Sequence, residues 1–220
     1  MSRLIDEVRE LLRKGGDLNS LERCSERKLA RTLTMLVHDS EDIVRQRACR
    51  ELGEIISRRT PSKIENTIRR LLWRLNPESG DYPVGVPELL GEIGHQAPHK
   101  VGNLVSIMLQ YLDDEKLRPG LMQAAGRIGQ QFPEAVTPHI DEISSCLGDA
   151  DAIVSGNAAL ALCRMGGNRA ERALRAIEGD TREITVFCEG EFRRTRLCEL
   201  AEQGYEQRED LCFIASQPLS

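Results

Sequence analysis

"RACRELGEI" occupies residues 47–55 and returns, altered but recognisable, as "GVPELLGEI" at 85–93, "GLMQAAGRI" at 120–128 and "NAALALCRM" at 157–165. Setting Ile55, Ile93, Ile128 and Met165 in one column gives spacings of 38, 35 and 37 residues. The same register stacks Ala48, Val86, Leu121 and Ala158, then Leu52, Leu90, Ala125 and Leu162. Columns three and four positions apart fall on one stripe of an α-helix, so this is one amphipathic helix written four times. A period of this length is the signature of stacked repeats.

Upstream of each copy lies a second apolar stretch: "RKLARTLTMLV" (27–37), "IENTIRRLLWRL" (64–75), "VGNLVSIMLQYL" (101–112) and "HIDEISSCLG" (139–148). Each reads as a first helix, with Trp73 in the buried stripe of the second of them. Short acidic turns such as "HDSEDIV" and "GDADAIV" join helix to helix, their Asp or Ser placed to cap the incoming one. "PSKIE" (61–65) offers a capping box in Ser62 and Glu65, and Pro61, Pro98 and Pro138 stand where new helices would begin. Gly53, Gly91 and Gly126 share one column inside the second helices. Glycine costs about 1 kcal/mol against alanine there, so the column predicts that the paired helix crosses too closely for a side chain.

Two helices per repeat, an acidic turn and a small-residue column resemble HEAT repeats. "DSEDIVRQRACRELGEI" (39–55) carries their pattern of an Asp, a Val-Arg pair, an alanine and a Leu-Gly. The resemblance covers roughly residues 25–178 and implies an all-α fold, an α-α superhelix of about four HEAT-like repeats. Residues 1–24 then form an N-terminal helical cap. After Gly179 the period changes: "REITVFCEGEFRRTRLCELAEQG" (182–204) alternates around Glu189-Gly190, a hairpin turn, with a helix from about Thr195 to Gln203. Residues 179–220 are therefore expected to form an α/β cap, a small β-hairpin plus helix, over the last apolar face.

Composition agrees. Of 220 residues 40% are apolar but only 4% aromatic, so aliphatics and alanine must fill the core, which suits packed helices. The charged, amphipathic start "MSRLIDEVRELLRK" is no signal peptide, and no apolar run is long enough to span a bilayer, so a cytoplasmic protein without membrane contact is expected. The seven cysteines are odd in number and never spaced CxxC, which points to reduced thiols. Net charge is −5, yet residues 1–75 carry 17 Lys/Arg against 12 Asp/Glu and residues 76–220 carry 13 against 23.

Where other repeats turn in a few residues, "NPESGDYPVGVPE" (76–88) intervenes. Asn76 and Gly80 can take left-handed conformations that end the preceding helix, and Pro87 and Glu88 suit the first turn of the next. Tyr82 has two readings: a contact aromatic ringed by Glu78 and Asp81, or a core plug in the register of Val44, Leu117 and Val154. The stretch resembles a recurrent loop in small prokaryotic HEAT-repeat proteins, matching at Trp73, Arg74, Asn76, Glu78, Ser79, Gly80, Pro87, Glu88, Gly91, Glu92 and Ile93. Val84 stands where that loop often carries an aromatic.

The outer stripe of the second helices is expected to face solvent and line a concave surface: Arg47, Glu51 and Glu54; Gly85, Leu89 and Glu92; Gly120, Ala124 and Arg127; Asn157, Ala161 and Arg164. Glu92 facing Arg127 is either an ion-pair ladder or the edge of a peptide groove. The candidate partner-binding set is Glu54, Asn76, Glu78, Asp81, Tyr82, Glu88, Glu92, Arg127 and Arg164.

Catalytic signatures are missing. HEAT-type di-iron hydroxylases use His-Glu dipeptides, and none of His38, His95, His99 and His139 precedes a Glu. HEAT-like glycosylases need a basic, aromatic channel, whereas this chain is acidic with one tryptophan. No cofactor and no metal site is expected. The reading is a non-catalytic adaptor, scaffold or assembly factor that binds another protein. The alternative is an accessory or catalytic role on a metal centre or prosthetic group, using Cys188, Cys198 and Cys212.

Overall fold

A computed structural model of the chain describes residues 2–21, 24–80, 84–97 and 103–206. Helix α1 (Ser2–Lys14) precedes the first pair, α2 (Glu26–Leu36) and α3 (Asp42–Ser57). The second pair is α4 (Pro61–Leu75) and α5 (Val86–Gln96); the third is α6 (Leu104–Leu109) and α7 (Arg118–Gly129). A single turn, α8 (Pro133–Val136), leads into α9 (Ile140–Ser145), which pairs with α10 (Ala152–Met165), and α11 (Asn168–Leu174) follows. Strands β1 (Glu183–Cys188) and β2 (Glu191–Arg196) and helix α12 (Leu197–Glu206) complete it. The molecule is a superhelix of helical repeats with a two-stranded antiparallel sheet and a helix at its C-terminal end.

All twelve residues of the three aligned columns are buried, and they join one continuous core. The strongest packing runs between successive second helices, α3 on α5, α5 on α7 and α7 on α10. The glycine column explains how. A Cβ at Gly91 would lie 2.6 Å from Ala124 Cα, one at Gly126 would lie 2.9 Å from Ala161 Cα, and one at Gly53 would lie 2.7 Å from Glu92 Cβ. The close neighbour is thus the second helix of the next repeat, not the partner within the repeat as the sequence suggested. First helices pack far less on one another, so a tight inner layer and a looser outer one curl the chain inward.

That geometry corrects two expectations. Leu89, Ala124 and Ala161, expected to face solvent, are buried, and Ala124 and Ala161 meet Gly91 and Gly126 in the glycine column of the helix before. Trp73, expected in a buried stripe, is 59% exposed. The buried stripe of α4 is Ile64, Ile68, Leu71 and Leu75, and a residue two positions from Leu71 and Leu75 points about 200° away. Local details differ as well. The N-cap of α4 is Thr60, so Ser62 and Glu65 form no capping box, and Glu65 pairs instead with Arg69. The third first helix shrinks to Leu104–Leu109.

Both ends are covered. Val8 and Leu12 of α1 are buried, and Arg9 grips Asp39 in the α2–α3 turn at 2.7 Å. At the other end Leu197, Leu200 and Ala201 of α12 are buried, and the Cys163 thiol donates to Leu200 O. The hairpin turns through Glu189 (φ 52°) and Gly190 (φ 89°), the mirror-image turn that a two-residue connection favours. Ile184 and Val186 lie on α10, where the missing side chain of Gly156 makes room for Ile184. Strands of six residues span ~20 Å, enough to cross the inner face. At the tip, Arg47 Nε of α3 donates to Gly190 O at 2.7 Å while its Nη1 donates to Leu12 O at 2.7 Å. The sequence placed an end cap here; α12 fills that role, and the hairpin straps the last repeat to the first.

Candidate functional site

A groove of about 890 Å³ opens beside this strap. Its floor is the N-terminal ends of all four second helices, including Asp42 and Gln46, Pro87 and Glu88, Pro119 and Gly120, and Ile153 and Asn157. One wall is the hairpin face opposite α10. There Phe187 and Phe192 are cross-strand partners with rings 5.4 Å apart, edge to face. The other wall is the long connector, through Leu75, Asn76, Pro77 and Val84.

The connector owes its shape to named contacts. Asn76 is extended (φ −71°, ψ 130°) rather than left-handed; its side chain accepts the Glu78 N–H at 2.9 Å and starts a single 3-10 turn over Pro77–Ser79. Gly80 is left-handed (φ 69°), as expected. Gly85 is left-handed too (φ 79°), and a Cβ there would fall 2.0 Å from Val37 O, so only glycine lets the chain enter α5 at this point. His38 pins the end of the connector. Its Nδ1 lies 2.6 Å from Val84 O and its Nε2 3.0 Å from Arg74 Nη1. A carbonyl can only accept and a guanidinium only donate, so the ring proton sits on Nδ1.

Two acids at the groove are matched by cations. Asp42 pairs with Arg45, and Glu41 pairs with Arg13. Glu88 differs. It forms no salt bridge among the described residues, and burial raises its carboxyl above the ordinary range despite a hydrogen bond from its own main-chain N–H.

Beyond the groove the inner face is closed. Gln46 and Gln123 exchange two side-chain hydrogen bonds, 3.0 and 2.6 Å long. Past them a narrow cleft holds Glu92, Arg127 and Arg164. Arg127 Nε donates to both oxygens of Glu92, at 2.9 and 3.0 Å, with the two side chains 15% and 7% exposed. Arg164 directs Nη2 to the Cys188 thiol at 3.7 Å, and burial lowers its affinity for its proton.

Of the nine candidate contact residues, the structure brings Asn76 and Glu88 into the groove and Glu92, Arg127 and Arg164 into the inner cleft. Glu54 pairs with Arg58 on its own helix, and Glu78 sits exposed on the connector. Asp81 and Tyr82 lie outside the described residues, as does Cys212. Sequence reasoning passed over Gln46, Gln123, Phe187 and Phe192. One signal was there: with aromatics so scarce, two of the four phenylalanines fall on one hairpin. Among the described residues no group of three or more His, Cys, Asp or Glu is placed to hold a metal. No helix among them is long and apolar enough to cross a membrane.

Fold and groove define a helical-repeat superhelix with an inward-facing cleft. No protein-family model matches the chain. An uncharacterized protein of Archaeoglobus fulgidus is 29% identical over 181 residues, which span 80% of this chain and 94% of that one. Two solved structures share the fold. An engineered protein from the Northeast Structural Genomics Consortium superposes with a TM-score of 0.55 at 16% identity, over 91% of this chain and 86% of its own. A designed armadillo repeat protein gives 0.53 at 17% identity, over 93% and 92%.

Proposed function

We propose that this chain is a HEAT-type, non-catalytic interaction module whose groove holds an extended segment or loop of another protein. In this reading residues 25–178 are the repeats, and residues 1–24 and 179–220 cap them. The observation that carries it is the groove itself: apolar side chains at Phe187, Phe192, Leu75 and Ile153, polar groups at Asn76, Gln46 and Gln123, and a carboxyl, Glu88, that forms no salt bridge among the described residues. Such a mix suits a main chain with alternating apolar and polar side chains. Ile153, at the rim, is 48% exposed, an apolar side chain placed where a bound segment would cover it.

Glu88 sets the expected chemistry. A carboxyl that burial disfavours as an anion gains most from a cationic or amide-bearing side chain. Glu78 and Asp81, on the connector, would draw the same segment in. The test is an affinity capture that compares wild type, Glu88→Lys and Glu78→Lys/Asp81→Lys, each checked for native helicity. A partner recovered by wild type and lost from Glu88→Lys supports the reading. Equal recovery of every partner by all three proteins removes the groove from consideration.

A further inference from the structure

The outer layer carries a feature that the groove does not use. Most large apolar side chains of the described residues are covered, but Met35 is 51% and Trp73 is 59% exposed. They stand in the last turns of α2 and α4, first helices of adjacent repeats. The His38–Arg74 hydrogen bond holds those two turns side by side, with Met35 one turn before His38 and Trp73 next to Arg74. Each exposed stripe continues in cations: Arg27 and Arg31 lead to Met35 at helical spacing, and Lys63 and Arg70 lead to Trp73. None of these four forms a salt bridge among the described residues, in a chain whose net charge is −5.

We propose that the outer face of α2 and α4 is a second docking surface, for an acidic protein segment with an apolar side chain that seats on Trp73 and Met35. Charge complementarity selects the occupant. A Trp and a Met rimmed by Arg and Lys have the make-up of an interface hot spot, a desolvated anchor inside a polar ring. The cations would speed encounter and fix orientation more than they add affinity. A nucleic acid fits less well, because a single aromatic cannot stack successive bases and the acidic remainder of the chain repels a long polyanion. None of Arg27, Arg31, Met35, Lys63, Arg70 and Trp73 lines the groove.

Trp73 is the chain's single tryptophan, so its fluorescence reports on the proposed site directly. The experiment titrates the full chain with a short synthetic peptide alternating Glu and Leu, with a Lys/Leu counterpart, and with single-stranded oligothymidylate. The expected result is a saturable blue shift with the acidic peptide alone, weakened about tenfold or more in Arg31→Glu/Arg70→Glu and in Met35→Glu. Glu88→Lys should leave the titration unchanged, which separates this surface from the groove. No saturable shift, an equal response to the Lys/Leu peptide, or affinity indifferent to both variants overturns the proposal. A shift with oligothymidylate in place of the peptide reassigns the face to nucleic acid. Concentration-dependent dimers abolished by Arg31→Glu/Arg70→Glu reassign it to a second copy of this chain, and either result also overturns the proposal.

Discussion

The side-chain amides of Gln46 and Gln123, 77 positions apart in the chain, hold each other through two hydrogen bonds, 3.0 and 2.6 Å long. One belongs to α3 and the other to α7, so the pair bridges over α5 and fixes the inward curl that the glycine column permits. Cutting either side chain to alanine leaves the other amide without its partner, and Gln46 is only 6% exposed. Each single substitution should cost about 1–2 kcal/mol in urea unfolding. The double substitution Gln46→Ala/Gln123→Ala should cost less than the two singles added, with a coupling of about 1 kcal/mol. Strict additivity would show that the two amides do not stabilise each other.

Close stacking of the second helices makes a sharper claim about Gly91. Alanine there gains about 1 kcal/mol of helix propensity, yet its Cβ would press on the main chain of α7, which cannot yield as a side-chain tip can. Gly91→Ala should therefore destabilise by about 1–3 kcal/mol net. Gly148→Ala, where nothing lies within 4 Å of the new methyl, is the control and should change stability by less than about 0.5 kcal/mol. Comparable midpoints for the two variants would refute the packing account.

Arg47 is the buckle of the hairpin strap, donating to Gly190 O at one end and to Leu12 O at the other. Arg47→Ala should free the tip without unseating the base, since Ile184 and Val186 stay buried on α10. Amide hydrogen exchange near Gly190 should accelerate while that of α10 holds, and global stability should fall by about 1–3 kcal/mol. Uniform acceleration across the chain would mean that the strap is part of the global unfolding unit.

The repeats were legible because burial writes itself into sequence with the period of the helix, and the columns through Ile55, Ile93, Ile128 and Met165 read burial alone. Gly53, Gly91 and Gly126 announced a close crossing but not which helix crosses, since a missing side chain carries no direction. Ala124 and Ala161, which meet Gly91 and Gly126, were misplaced for the same reason. The hairpin turn at Glu189-Gly190 was local and therefore readable. Its docking on Arg47, 143 residues away, depends on accumulated curvature, and no local pattern encodes that. Of the candidate site, Asn76 and Glu88 could be reached from the odd length of the connector. Gln46, Gln123, Phe187 and Phe192 meet only after the chain has curled.

His95 gives the molecule a calculable response to pH. Its Nδ1 donates to Arg127 O at 3.0 Å, and burial, then the neighbouring Arg127 charge, lowers its pKa from 6.5 to about 4. Arg164 acts in the same sense, and Glu189 opposes. The unfolded chain takes up this proton near pH 6.5, whereas the folded chain resists until about pH 4, so between those values the unfolded state binds more protons. The contribution of His95 to stability is thus complete above about pH 6.5, declines as pH falls, and levels off below about pH 4. The ring is only half-buried, so screening reduces the loss to about 1–2 kcal/mol. Carboxylates such as Asp39 and Asp180, held low by Arg9 and Arg182, also titrate on the acid side, so wild type alone does not isolate the effect. The difference between wild type and His95→Gln does. Urea midpoints across this window should show the wild type losing ground to the variant as pH falls, and parallel curves would show that His95 is protonated as easily in the folded chain as in the unfolded one.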